Sequence, residues 1–67
     1  MPLVNFKLTP DGLTTEKKKV LIEEVTQLLH RELGKNPETT IVVIEEVHSD
    51  NWGVGGISVT ERRKSSA

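Results

Sequence analysis

The chain has 67 residues, no cysteine, 34% hydrophobic residues and a formal net charge of −1 at pH 7. This length excludes a two-domain enzyme, and the lack of cysteine excludes disulfides and a closed Cys/His zinc site as sources of stability. The near-neutral charge is untypical of a nucleic-acid-binding domain and no apolar run could span a membrane, so we predict a cytoplasmic protein stabilised by self-association.

The first predicted element is a strand at residues 2–8. Alternation gives this strand two faces, with Val4, Phe6 and Leu8 on one and Leu3, Asn5 and Lys7 on the other. Pro10 and Gly12 then interrupt the strand, since proline cannot donate a ladder hydrogen bond and glycine adopts turn conformations. We therefore expect a loop before the next element.

A helix is predicted to follow, with Thr14 or Thr15 as its N-cap. Its apolar residues recur at intervals of three and four, at Leu21, Val25, Leu28, Leu29 and Leu33, with Val20 and Ile22 widening the stripe. Gly34 is the expected left-handed stop, and Pro37 prevents the helix from resuming. One face of this helix should therefore pack on a sheet.

A second strand is predicted at residues 39–47, whose continuous apolar centre from Ile41 to Ile44 suggests a strand covered on both faces. Two strands joined by one helix form a β-α-β unit with the strands parallel. Because one helix covers only one face of the sheet, we expect the other face to contact a second subunit.

The last third begins with a turn around His48–Asn51 and continues as a glycine-rich hairpin. A short strand is expected at Ile57–Thr60, followed by a polar, mobile tail at residues 61–67. We accordingly predict a single domain over residues 1–60.

The glycines at positions 53, 55 and 56 could suggest a phosphate-binding loop. Such a loop follows a strand and precedes a helix, and the sequence predicts neither arrangement here, so hairpin flexibility is the favoured interpretation.

Pro2 is the first candidate catalytic residue, because removal of Met1 would leave it as a free secondary amine. An α-amine titrates closer to neutrality than lysine and can serve as a general base or attack a carbonyl. Many proteins begin Met-Pro without using the amine, so this feature alone favours no function. The adjacent residues Glu45 and Glu46 are a weaker candidate, since neighbouring strand residues face opposite sides.

The Met-Pro-Leu-Val opening into a strand, the β-α-β unit and the segment Trp52-Gly53-Val54-Gly55-Gly56 together resemble the 4-oxalocrotonate tautomerase family. The resemblance covers nearly the whole chain. It implies an α+β fold, with parallel long strands and a short C-terminal β-hairpin, that assembles as a homo-oligomer, most often a hexamer. It also implies a cofactor-independent isomerase acting on a small molecule.

By position, the resemblance implies that Pro2 is the general base for enol to keto conversion of a small 2-oxo or 2-hydroxy unsaturated acid. It implies that Trp52 from a neighbouring subunit lines the pocket and that Leu8 contributes to the apolar wall. The two arginines that bind a dicarboxylate in the best-known member correspond to Leu13 and Val42, which we take as substrate-binding positions.

Loss of both arginines predicts a substrate with fewer carboxylates or a different cation, because each charge-assisted hydrogen bond contributes about 1.5–3 kcal/mol. The candidate replacements are Lys7, Arg31, Arg62 and Arg63, although a solvated surface charge is the favoured interpretation of each. Two alternatives stay open: a hydratase or dehalogenase that uses the same amine, and a non-catalytic oligomeric scaffold.

Overall fold

The computed structural model describes residues 1–65. Its regular elements, in chain order, are β1 (Leu3–Leu8), α1 (Thr15–Leu33), β2 (Ile41–Glu46), β3 (Gly53–Val54), β4 (Ile57–Ser58) and α2 (Val59–Ser65). Short 3-10 turns at Pro37–Thr39 and Ser49–Asn51 lead into and out of β2 and its following loop. The α+β class and the β-α-β unit predicted from the sequence are confirmed.

The main sheet pairs β1 with β2 in parallel, with Leu3 opposite Ile41 and Leu8 opposite Glu46. Helix α1 packs on the face that carries the even-numbered residues of both strands. The ion pair between Lys18 of α1 and Glu46 of β2 identifies that face. The even-numbered residues Val4, Phe6, Leu8, Val42 and Ile44 are accordingly half-buried.

Helix α1 begins and ends where the sequence predicts. The Thr14 Oγ1 atom accepts a hydrogen bond from the backbone N–H of Lys17 at 3.2 Å, which satisfies one of the free donors of the first turn. Gly34 ends the helix in the left-handed conformation, at φ 65°, and its N–H donates to the carbonyl of His30.

The C-terminal third contains the predicted hairpin but ends in a helix. Strands β3 and β4 pair antiparallel around Gly55 and Gly56, both of which have positive φ angles, so the hairpin is confirmed. The predicted strand through Val59 and Thr60 is wrong, because helix α2 begins at Val59. Residues 61–65 of the predicted tail belong to this helix, and the rest of that tail lies outside the described residues.

The isolated chain lacks a sealed core. Among the described residues no side chain is fully buried, and the face of the sheet opposite α1 leaves Leu3 65% and Val43 39% exposed. The radius of gyration is 15.3 Å, whereas a compact chain of 67 residues has about 11 Å. Among residues 1–65, neither α1 nor α2 has the length and hydrophobicity that a membrane-spanning helix requires.

Candidate active site

Pro2 lies at the end of the sheet where both long strands begin. Its carbonyl oxygen accepts a hydrogen bond from the Ile41 N–H at 3.0 Å, one residue before β1 starts. The Pro2 side chain is half-buried, and Leu3 beside it is largely exposed. The backbone at Pro2 is therefore held on the sheet, with an apolar side chain exposed beside it.

Trp52 and Leu8 lie at the opposite end of the sheet, where the strands finish. The Leu8 carbonyl accepts from the Val47 N–H at 2.8 Å, directly after β2. The Trp52 Nε1–H donates to the Val47 carbonyl at 2.9 Å, which fixes the indole against this strand end. Trp52 and Leu8 are both half-buried.

The site residues predicted from the sequence thus form two separate groups in one chain. A six-residue parallel strand spans about 17 Å from its first residue to its last. Pro2 at the start of β1 and Trp52 beyond the end of β2 cannot line one small pocket within a single subunit. Bringing them together requires a second copy of the chain.

Val42 belongs to the Pro2 end of the sheet, but its side chain lies on the helix-covered face. Val42 is opposite Val4 in the register. Like Glu46, which contacts α1, it is an even-numbered residue of β2, and alternate residues of a strand lie on the same face. The neighbouring residues Ile41 and Val43 lie on the open face, each 39% exposed. Substrate contact by Val42 stays a prediction, and within the single chain Val42 is half-buried on the helix-covered face.

Leu13 lines an open groove between the β1–α1 loop and the first turns of α1. The groove has a volume of about 450 Å³. Its lining residues are Asp11, Gly12, Leu13, Lys17, Val20 and Leu21. Because α1 begins beside the C-terminal ends of the strands, the groove lies at the same end of the sheet as Trp52.

An ion pair connects this loop to the C-terminal helix. Arg63 Nη2 of α2 lies 2.8 Å from Asp11 Oδ2 of the groove. The hydrogen bond from Arg63 lowers the pKa of Asp11 to about 2 and raises that of Arg63. Arg63, one of the suggested arginine replacements, is therefore engaged by a carboxylate of its own chain.

Two other suggested cations also have acidic partners. Lys7 Nζ lies 2.7 Å from Glu45 Oε2 on the open face of the sheet, and its hydrogen bond lowers the pKa of Glu45. Arg31 Nε lies 3.3 Å from Glu32. The prediction that Lys7 points away from the Phe6 face is confirmed, because Glu45 is an odd-numbered residue of β2.

The residue missed by sequence reasoning is Lys17, which lines the groove beside Leu13. The signal was its spacing, since Lys17, Val20 and Leu21 stand at i, i+3 and i+4 and so share a helix face. Within residues 1–65 no cluster of three or more His, Cys, Asp or Glu side chains is arranged to hold a metal ion.

Comparisons with known proteins agree on one family. The model of the tautomerase enzymes matches residues 2–62. A protein of Dickeya dadantii named "Probable tautomerase K2" is 61% identical over 67 residues, which cover 100% of both chains. Its name states the family and a reaction type but no substrate.

Two solved structures extend the likeness to the backbone. The crystal structure of DmpI from Helicobacter pylori has a TM-score of 0.84 and 45% identity, covering 90% of this chain and 98% of its own. The crystal structure of TomN has a TM-score of 0.88 and 36% identity, covering 98% of this chain and 100% of its own. TomN is described as a 4-oxalocrotonate tautomerase homologue in the tomaymycin biosynthetic pathway.

Proposed function

The chain belongs to the tautomerase family, and we propose that it converts the enol of a small 2-oxo acid to its keto form with the Pro2 amine as general base. Once Met1 is removed, the nitrogen of Pro2 is a secondary amine. A free α-amine titrates near neutrality, so its basic form is populated at pH 7. While Met1 remains attached, the same nitrogen is part of an amide and cannot act as a base.

The observation that carries this proposal is the hydrogen bond from the Ile41 N–H to the Pro2 carbonyl. A chain terminus that lacks such a bond samples many positions, and a base must lie within hydrogen-bond distance of the proton it takes. Here the carbonyl of the first residue after Met1 is tied to the neighbouring strand. The amine is thereby held at one place on the sheet edge.

The proposed reaction balances without a redox cofactor. The Pro2 nitrogen accepts the enol hydroxyl proton while the oxygen lone pair forms the carbonyl and the carbon–carbon double bond becomes a lone pair at carbon. The prolinium N–H then returns a proton to that carbon, which regenerates the amine. An apolar wall from Trp52 and Leu8 of a neighbouring subunit favours the neutral amine by penalising the cation.

We further propose that the active form is a cytoplasmic homo-oligomer, a hexamer by analogy with the family. The support is physical: Leu3, Ile41 and Val43 form an apolar patch on the open face of the sheet, and no described side chain is fully buried. Burying this patch between subunits supplies the core that the chain lacks alone.

The test is ketonisation of the enol of phenylpyruvate, followed by absorbance, for the processed protein and for Pro2→Ala. General base catalysis contributes about 10²–10⁴-fold, and we expect a rate loss of up to that size in Pro2→Ala, because the primary amine of the processed variant lacks the pyrrolidine ring that fixes the position of the nitrogen. Pro37→Ala is the matched control, since it removes a proline whose nitrogen is a backbone amide and cannot act as a base. Intact mass spectrometry must first confirm that Met1 is absent from each sample.

Two results would contradict the proposal. One is an equal rate for Pro2→Ala and the processed protein. The other is a nitrogen-15 NMR titration in which the Pro2 amine has the pKa of a free proline peptide and no substrate of an enol panel turns over. The second result would favour a non-catalytic scaffold.

A further inference from the structure

We infer that the groove beside Leu13 binds the single carboxylate of the substrate, with Lys17 as the cation that recognises it. The inference rests on the proposed function and names the substrate class: a small acid with one carboxylate and an apolar or aryl group. Lys17 takes this role although it was not among the cations suggested by the sequence.

The first argument is the helix geometry of the groove. Lys17, Val20 and Leu21 lie on one face of α1, three and four residues apart, and Leu13 covers the loop side. A positively charged residue and an apolar wall therefore line the same groove. An amphiphilic acid fits this arrangement, with its carboxylate on Lys17 and its apolar part on Val20 and Leu21.

The second argument is charge. Within residues 1–65 Lys17 has no carboxylate within ion-pair distance, whereas its neighbours Lys18 and Lys19 pair with Glu46 and Glu16. Asp11 is the acidic residue of the groove lining, and its carboxylate is already paired with Arg63. The positive charge of Lys17 thus remains available for an anion from outside the chain.

The third argument is the exposed apolar surface and the size of the groove. Val20 is 54% exposed, although it lines a concave surface. The volume of about 450 Å³ lies within the range of about 300–1,000 Å³ that is usual for small-molecule sites. One available cation matches one carboxylate, and a dicarboxylate would leave its second charge without a partner among the lining residues.

The groove also fits the division of the site between subunits. It lies at the end of the sheet that carries Trp52 and Leu8, away from the Pro2 of its own chain. A carboxylate held by Lys17 of one subunit would therefore present its enol to Pro2 of another. Recognition and proton transfer would then be supplied by different copies of the chain.

The test compares Lys17→Gln, Lys17→Arg and the control Lys19→Gln in steady-state ketonisation of the phenylpyruvate enol. Lys17→Gln should raise KM about tenfold with little change in kcat, as expected for loss of one charge-assisted hydrogen bond made equally in the ground and transition states. Lys17→Arg should retain most of the affinity because it keeps the charge. Lys19→Gln should match the unmodified protein.

The methyl ester of the same enol provides the second readout. It lacks the carboxylate charge, so Lys17→Gln should leave its kcat/KM unchanged. An unchanged KM for the acid in Lys17→Gln, or equal losses for acid and ester, would overturn the carboxylate subsite. A change in oligomer mass in Lys17→Gln would also overturn it, by showing that another subunit covers the groove.

The two sets of variants distinguish failure of the carboxylate subsite from failure of the proposed general base. If Pro2→Ala loses activity while Lys17→Gln keeps its KM, the base assignment stands and the subsite fails. If Pro2→Ala and the processed protein are equally active, the base assignment fails whatever Lys17 does. A titration with phenylacetate then tests the groove without any turnover. Chemical-shift changes at the Lys17 and Leu13 amides would support the carboxylate subsite, and unchanged shifts at both would overturn it.

Discussion

Pro2 and Trp52 are anchored at opposite ends of the same two-stranded sheet. The Pro2 carbonyl accepts from the Ile41 N–H where β2 begins, and the Trp52 indole donates to the Val47 carbonyl just after β2 ends. The two anchoring backbone groups lie at the start of β2 and directly after its end, so their separation is fixed by the length of that strand. A shared pocket must therefore combine Pro2 of one subunit with Trp52 of another.

This separation predicts complementation between two inactive variants. Pro2→Ala and Trp52→Ala homo-oligomers should each be impaired, and mixed oligomers formed by refolding them together should recover part of the activity. Recovery is expected because a Trp52→Ala subunit supplies Pro2 to a site whose Trp52 comes from a Pro2→Ala subunit. Native mass spectrometry identifies the mixed species, and no recovery in samples proven mixed would show that the site is not shared.

The sequence predicted those features that depend on neighbours along the chain. Alternation placed Val4 and Phe6 together on one face, which the structure shows to be the packed face. Thr14 and Gly34 marked both helix ends, because capping depends on a few consecutive backbone groups. Helix α2 was missed because Val59 and Thr60 favour strand locally. The missed signal was Ser58, whose Oγ accepts from the Glu61 N–H in the spacing of a capping box.

Features that depend on distant residues could not be predicted in the same way. The ion pair of Asp11 with Arg63 joins residues that are far apart in the sequence. The hydrophobic periodicity along the chain does not predict a contact of this kind. The groove likewise exists only because the β1–α1 loop lies against α1. The family resemblance located Leu13 at this place but gave no reason to choose Lys17.

The apolar patch on the open face predicts how association responds to mutation. Val43→Glu places a carboxylate at the centre of the face and should raise the dissociation constant of the oligomer at least about tenfold, since burying an unpaired charge is costly. Sedimentation velocity over a dilution series measures this change. Gln27→Glu, on the exposed side of α1, adds the same charge and should leave the dissociation constant unaltered.

Loss of association should also reduce folding and activity together. Because no described side chain is buried in the single chain, dilution of Val43→Glu should lower its helical circular dichroism signal at the concentration where turnover falls. A Val43→Glu monomer with full helicity and full activity would contradict the role assigned to this face.

The Trp52 anchor predicts a difference between two substitutions. Trp52→Phe keeps an aromatic ring but removes the donor to the Val47 carbonyl. The loss of this hydrogen bond should lower the free energy of unfolding by about 1 kcal/mol at fixed protein concentration, while most of the activity is retained. Trp52→Ala removes the ring as well and should lose both stability and turnover. Urea unfolding followed by circular dichroism measures the stability of both variants, since Trp52 is the single tryptophan. Equal activity in Trp52→Ala would remove this residue from the pocket wall.

The Asp11–Arg63 pair predicts a pH-dependent attachment of α2. The native pKa of Asp11 is lowered from 3.8 to about 2, so the pair's stabilisation is present above about pH 4 and is lost as the pH falls through about 2. Carbon-13 NMR of the Asp11 carboxyl should follow this titration, and Arg63→Gln should move the pKa back toward 3.8. Lys64→Gln, on the same helix, should leave it in place because Lys64 pairs with Glu61. An Asp11 pKa that is the same in Arg63→Gln and the unmodified protein would show that the pair does not hold α2 to the loop in solution.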